Sequence, residues 1–134
     1  MLTKAEKALW IEALRSGKYE QGVGGLARDN KFCCLGIACE VLGPLKGVKK
    51  SKVFIIAFGG DEILYNNNST LLPQMLVDVI GISHAGSTEQ GAIIAGGAYR
   101  QLAINHGSLS AMNDNGVSFE VIAQFLEDSL QTSD

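Results

Sequence analysis

The sequence predicts a small single α+β domain, mostly helical, with one small short-stranded sheet or hairpin. Three observations predict it. The C-terminal run 109–130, LSAMNDNGVSFEVIAQFLEDSL, ends in an amphipathic helix. From Phe119, the residues Ile122, Ala123, Phe125, Leu126 and Leu130 share one helical face, and Glu120, Gln124, Glu127 and Asp128 take the other. At the opposite end, Thr3 and Glu6 form the T-x-x-E pattern of a capping box. Between them, VFIIAF (53–58) is β-branched and aromatic and reads as a short buried strand closed by Gly59-Gly60. With 134 residues, 46% hydrophobic and 19% charged, the chain fits one domain with a real core and is not composed like a disordered protein.

In chain order, a first helix is expected from about residue 4 to 16, with Leu9, Trp10, Ala13 and Leu14 as its buried stripe and Gly17 as its stop. Residues 19–32 read as irregular, with a small hairpin turning at Asp29-Asn30. A second helix over residues 33–42 carries a single charge, Glu40, so it belongs at the centre of the core, and Gly43-Pro44 ends it. Residues 45–52, LKGVKKSK, form a basic connector. Ile63-Leu64-Tyr65 supplies another short strand before the polar loop Asn66-Asn67-Asn68. A third helix over residues 73–80 has Pro73 in its first turn, Leu76, Val77 and Ile80 inward, and Gly81 after it. Residues 83–91 form a loop, and 92–105 a helix or a strand pair, since Gly96-Gly97 suits either. His106-Gly107 turns the chain into the C-terminal unit. There Asn113-Asp114-Asn115-Gly116 is a tight polar turn and Ser118 an N-cap, with Val117 packing on Ile122 as a hydrophobic staple.

Bulk properties exclude several functions. A net charge of −3 gives no general affinity for polyanions. No apolar run approaches the ~20 residues of a membrane span, and MLTKAEKALW lacks the apolar core of a secretory signal. Three cysteines, two of them adjacent, make no disulfide framework and fit a reducing cytoplasm.

Phe32-Cys33-Cys34-Leu35-Gly36 sets thiols near a helix N-terminus, where the dipole lowers a thiolate pKa. A cysteine-dependent enzyme using Cys33 or Cys34 would need a base, and His84 and His106 are the only histidines. The competing reading makes all three thiols small core residues. The cysteine spacing holds no metal motif, and the Asn113–Gly116 stretch fails as a calcium loop because Ala111 and Ile122 stand where carboxylates are required. No cofactor is expected. A nucleic-acid-binding module is a third reading, since GVSFEVIA resembles the opening helix of a helix-turn-helix. Against it stand the acids on that helix and the mere four residues after Leu130. The glycines at 22–25 offer close backbone approach, and Arg15, Tyr19, Gln21 and Arg28 flank them as a rim for a small anionic ligand such as a nucleotide. Asn113 and Asp114 are a second wall for that site.

Three segments, WIEALRSGKYEQG (10–22), FCCLGIACE (32–40) and LSAMNDNGVSFEVIA (109–123), resemble a family of small proteins from tailed phages, prophages and some bacteria. LLPQMLVDVIG (71–81) is similar to a proline-led helix between the last two. The family pattern carries Glu where this chain has Val121, so the capping box with Ser118 is broken here. The resemblance covers about half the chain and brings no catalytic residues with it. It implies a phage-type accessory protein in the host cytoplasm. The expected function is therefore non-enzymatic binding of a host protein, including a defence factor, or of a small anion.

Overall fold

The computed structural model describes residues 1–57, 59–88 and 99–134. Helix α1 (Lys4–Arg15) begins with the expected box: Thr3 Oγ1 accepts from the Glu6 N–H at 3.1 Å, and Glu6 Oε1 accepts from the Thr3 N–H at 3.0 Å. It buries Trp10, Ile11 and Leu14, whereas Leu9 of the expected stripe is exposed. Helix α2 (Cys34–Leu42) starts one residue later than expected because Cys33 is its N-cap. As expected, it is central: Cys34, Leu35, Gly36, Ile37, Ala38, Cys39 and Leu42 are all buried, and it packs against α1. Replacing Leu35 or Ile37, both at 0% exposure, with alanine should cost ~2–5 kcal/mol in denaturant unfolding. Losses within about 0.5 kcal/mol at both positions, the surface range, would contradict this placement.

Among the described residues, five strands form one sheet in the order β1-β3-β2-β5-β4. They are β1 (Glu20–Gln21), β2 (Ala27–Arg28), β3 (Lys31–Phe32), β4 (Lys50–Ile55) and β5 (Gly60–Tyr65). The β2–β3 hairpin turns at Asp29 and Asn30 as expected, with φ of 55° and 63°, the left-handed pair that a two-residue turn demands. Antiparallel β4 and β5 form the larger hairpin.

Two strand expectations need correction. The strand expected at 53–58 begins at Lys50, inside the supposed connector, and ends at Ile55. It is also not buried: Val53, Phe54 and Ile56 are 37%, 63% and 87% exposed. The apolar run is divided by the hairpin bend, where the Gly59 N–H returns to Ile55 O at 3.0 Å. The inner positions go to Ile63 and Tyr65 of β5, which leaves β4 at the sheet edge.

Helix α3 (Gln74–Ile80) has Pro73 as its N-cap, one place before the expected first turn, and stops at Gly81 with φ 82°. Residues 89–98, and with them the first half of the 92–105 stretch expected as a helix or strand pair, lie outside the described residues. After them comes α4 (Arg100–His106). Next is α5 (Leu109–Asp114), whose N-cap Ser108 accepts from the Ala111 N–H at 3.1 Å. Asn113 and Asp114, expected in a turn, are therefore the last residues of a helix, and the bend falls at Asn115 and Gly116 (φ 86°). Helix α6 (Phe119–Ser129) starts at Ser118 as expected, with Oγ accepting from the Val121 N–H at 3.3 Å. It buries Ile122, Ala123, Phe125 and Leu126 and packs on α1. The result is a small α+β domain with six α-helices among the described residues.

Candidate functional site

The segments singled out in the sequence meet at the N-terminus of α2. Cys33 has extended backbone there, and its Sγ accepts from the Gly36 N–H at 3.3 Å, the task of an N-cap side chain. Trp10, fully buried, donates from Nε1 to Cys34 O at 3.0 Å. Gly36 faces the backbone of Leu26 so closely that a Cβ there would overlap Leu26 O. That same oxygen accepts from the Cys33 N–H at 3.1 Å.

Asn113 closes the arrangement. Its side chain is buried at 0% exposure and bonded through both polar atoms. Nδ2 donates to Gly22 O at 2.7 Å, and Oδ1 accepts from Gln21 Nε2 at 2.9 Å and from the Cys34 N–H at 3.2 Å. Gln21 Nε2 also reaches Val117 O at 2.8 Å. Asp114 Oδ1 accepts from the Gly24 N–H at 3.2 Å. One amide thus ties the glycine loop, the start of α2 and the end of α5 together.

Of the six residues expected at the ligand site, three meet here: Gln21, Asn113 and Asp114. Their polar atoms hold the chain's own backbone and each other. Arg28 lies nearby in a shallow cleft of about 340 Å³ lined by Gln21, Gly22, Val23, Gly25, Arg28, Asp29 and Lys31. Its guanidinium is engaged by Glu62, with Nε and Nη2 at 2.9 and 2.7 Å from Oε2.

Arg15 is turned the other way. Its Nε and Nη1 lie 3.1 and 2.9 Å from Glu120 Oε1 and Glu127 Oε2, and Nη2 lies 2.8 Å from Gln124 Oε1. It clamps α1 to α6, and these carboxylates hold its guanidinium even more firmly protonated than usual. Tyr19 packs edge-on against Phe32, with ring centroids 5.1 Å apart. The expected cationic rim is thus dispersed, because Gly17 (φ 72°) redirects the chain after Arg15 and three acceptors on α6 face that guanidinium.

The thiols also depart from the dipole argument. Burial pushes Cys33 up to about 11 despite the Gly36 N–H, and it also raises Cys34 and Cys39 well above the usual thiol range. Desolvation of the thiolate outweighs the helix N-terminus. Cys34 Sγ lies 3.5 Å from Leu109 O. His84 pairs with Gln74 Oε1 at 3.0 Å and His106 with Asn115 at 3.2 Å, so each histidine has a polar partner that is not a thiol.

Sequence reasoning missed a second polar joint, in which Tyr65 Oη donates to Glu40 Oε2 at 2.8 Å and Lys50 Nζ lies 2.7 Å from Glu40 Oε1. It explains how the one charge of α2 is accommodated beside the core. Burial, and then the Glu40 carboxylate, push the Tyr65 hydroxyl far above its ordinary pKa.

The fold and site define a small α+β domain whose distinctive polar and glycine residues join its own elements. Residues 2–130 match the family described as a domain of unknown function, DUF8296, and the chain belongs to that family. No curated protein and no solved structure matches it. Among the described residues, no helix is long and apolar enough to cross a membrane.

Proposed function

We propose that this protein is a non-enzymatic binding protein of phage type that acts in the host cytoplasm by occupying a host protein. The observation that carries this reading is the internal use of the reactive and polar side chains in the distinctive segments. Cys33 caps α2, Cys34 and Cys39 are core, and Gln21 and Asn113 hold backbone and one another. The phage-type and host assignments rest on the resemblance of the 10–22, 32–40 and 109–123 segments. A small anion is the weaker ligand, because the two arginines expected to grip it are engaged by Glu62 and by Glu120 and Glu127. Asp29 also lines the cleft.

Thiol kinetics separate this reading from the cysteine-enzyme alternative. With an aromatic disulfide reagent at neutral pH, all three native thiols should react more slowly than a free cysteine by about 100-fold or more, and quickly once the chain is unfolded. One native thiol reacting as fast as free cysteine would replace the binding reading with catalysis.

A further inference from the structure

We infer that β4 is a docking edge for an extended segment of a partner protein, one that carries a carboxylate across from Lys52 and an apolar side chain across from Phe54. The inference deepens the binding-protein reading and rests on it.

The register of the β4–β5 hairpin shows which backbone groups are available. The Asn66 N–H donates to Lys49 O at 2.7 Å, and the pairs then run Lys50↔Tyr65, Ser51↔Leu64, Lys52↔Ile63, Val53↔Glu62 and Phe54↔Asp61. In an antiparallel ladder, hydrogen-bonded and non-hydrogen-bonded pairs alternate. Lys49, Ser51 and Val53 therefore turn their N–H and C=O groups toward β5, whereas Lys50, Lys52 and Phe54 turn theirs outward. β4 stands last in the sheet order, and among the described residues it pairs with β5 alone. Three successive outward positions make a template for strand addition.

The side chains set the chemistry. Lys50, Lys52 and Phe54 share the face on which Tyr65 and Ile63 enter the core, because directly paired residues share a face. Phe54 stands out from that face at 63% exposure, whereas Val53 is exposed on the opposite face and Ile56 in the turn beyond the strand. Lys50 is engaged by Glu40 at 2.7 Å. Among the described residues, the acidic partner of Lys52 is Asp61 at 3.8 Å, with both side chains at least half exposed, a weak contact that solvent screens. An added strand thus meets one exposed aromatic side chain, Phe54, next to a cation with capacity for a second carboxylate.

The lysines decide between occupants. If a second copy added its own β4 antiparallel, the registers of greatest overlap would set Lys52 against Lys52, Lys50 or Phe54, and none would neutralise it. Lysine on an edge strand opposes such self-pairing. A foreign segment with a carboxylate at that position turns the same charge into attraction.

The test is selection of a displayed library of random peptides of about 12 residues on the immobilised full chain. The best peptide is then measured in solution by anisotropy and by backbone amide shifts. Recovered peptides should alternate apolar and acidic residues, and binding should shift the Lys50, Lys52 and Phe54 amides and protect them from exchange. Phe54→Pro removes an outward N–H and leaves the β5 bonds intact, so it should weaken binding by about tenfold or more. If that variant does not fold, Phe54→Asp serves in its place. Lys52→Glu should reverse the preference toward a basic peptide.

Binding that shifts other amides and survives these variants would overturn the edge assignment while leaving the binding-protein reading in place. Recovery of no peptide would also overturn it. A concentration-dependent dimer abolished by Phe54→Pro would assign the edge to a second copy and overturn the partner proposal. Failure of the binding reading itself shows separately, as a fast native thiol.

Discussion

Gly36→Ala is expected to destabilise the domain by roughly 3 kcal/mol or more, at or beyond the upper end of overpacking costs. Alanine is the better helix former, so propensity alone would make this change favourable by up to about 1 kcal/mol at an interior helical site. The sign of the result therefore separates the two effects. The steric term should win because the added Cβ overlaps a backbone oxygen, Leu26 O, and not the movable end of a side chain. Leu26 is itself fixed: its N–H donates to Ser69 O at 2.7 Å, and its oxygen receives the Cys33 N–H. Relief would require separating α2 from β2, where Ala27 begins the strand. Urea unfolding measures the loss. Gly17→Ala is the comparison, since φ there is positive but a Cβ meets nothing within 4 Å, and only backbone strain of about 1 kcal/mol is at stake. A Gly36→Ala variant as stable as the parent would mean that α2 does not lie against Leu26.

Asn113→Ala carries the second large effect, an expected loss of roughly 2–4 kcal/mol. Truncation leaves the buried Cys34 N–H and the half-buried Gly22 O without their partner. A buried orphan costs about 1–3 kcal/mol, and a half-buried one costs less. Gln21 Nε2 keeps Val117 O, so it adds less. Asn113→Asp tests the donor separately. When ionised it retains an acceptor toward the Cys34 N–H and loses the bond to Gly22 O, with Asp114 adjacent in sequence, whereas its protonated form has an O–H that can donate. Burial favours the protonated form of such a carboxyl and raises its folded-state pKa above the unfolded value. Its penalty should therefore be smallest in acid and grow as pH rises through that titration. Equal stability of Asn113→Ala and the parent would show that this amide is not a structural joint.

Much of the fold was legible because it rests on local chemistry. The Thr3–Glu6 box, the Asp29-Asn30 turn, the Ser118 cap and the apolar faces of α2 and α6 are all written within a few residues of one another. What was not legible depends on long-range partners. Asn113 and Asp114 look like turn formers, yet the Ser108 cap carries a helix through them and their side chains reach residues 21–24. Arg15 looks like a neighbour of Gly22 in sequence, but its partners lie more than a hundred residues away on α6. The run 53–58 has the composition of a central strand, and composition does not say which member of a hairpin faces the core. Of the candidate site, the sequence brought Gln21, Asn113 and Asp114 to one place, with the glycines beside them. It did not reveal that their polar atoms are occupied, since buried partners such as the Cys34 N–H leave no periodic signal.

Native-state amide hydrogen exchange tests most directly the claim that these segments are used to hold the fold together. The Cys34 and Gly36 N–H groups, bonded to Asn113 Oδ1 and Cys33 Sγ, should be among the slowest in the chain, exchanging only through global unfolding with the free energy that urea denaturation gives. Exchange of both through local openings costing only about 1–2 kcal/mol would place the junction among the mobile parts of the molecule and contradict the account.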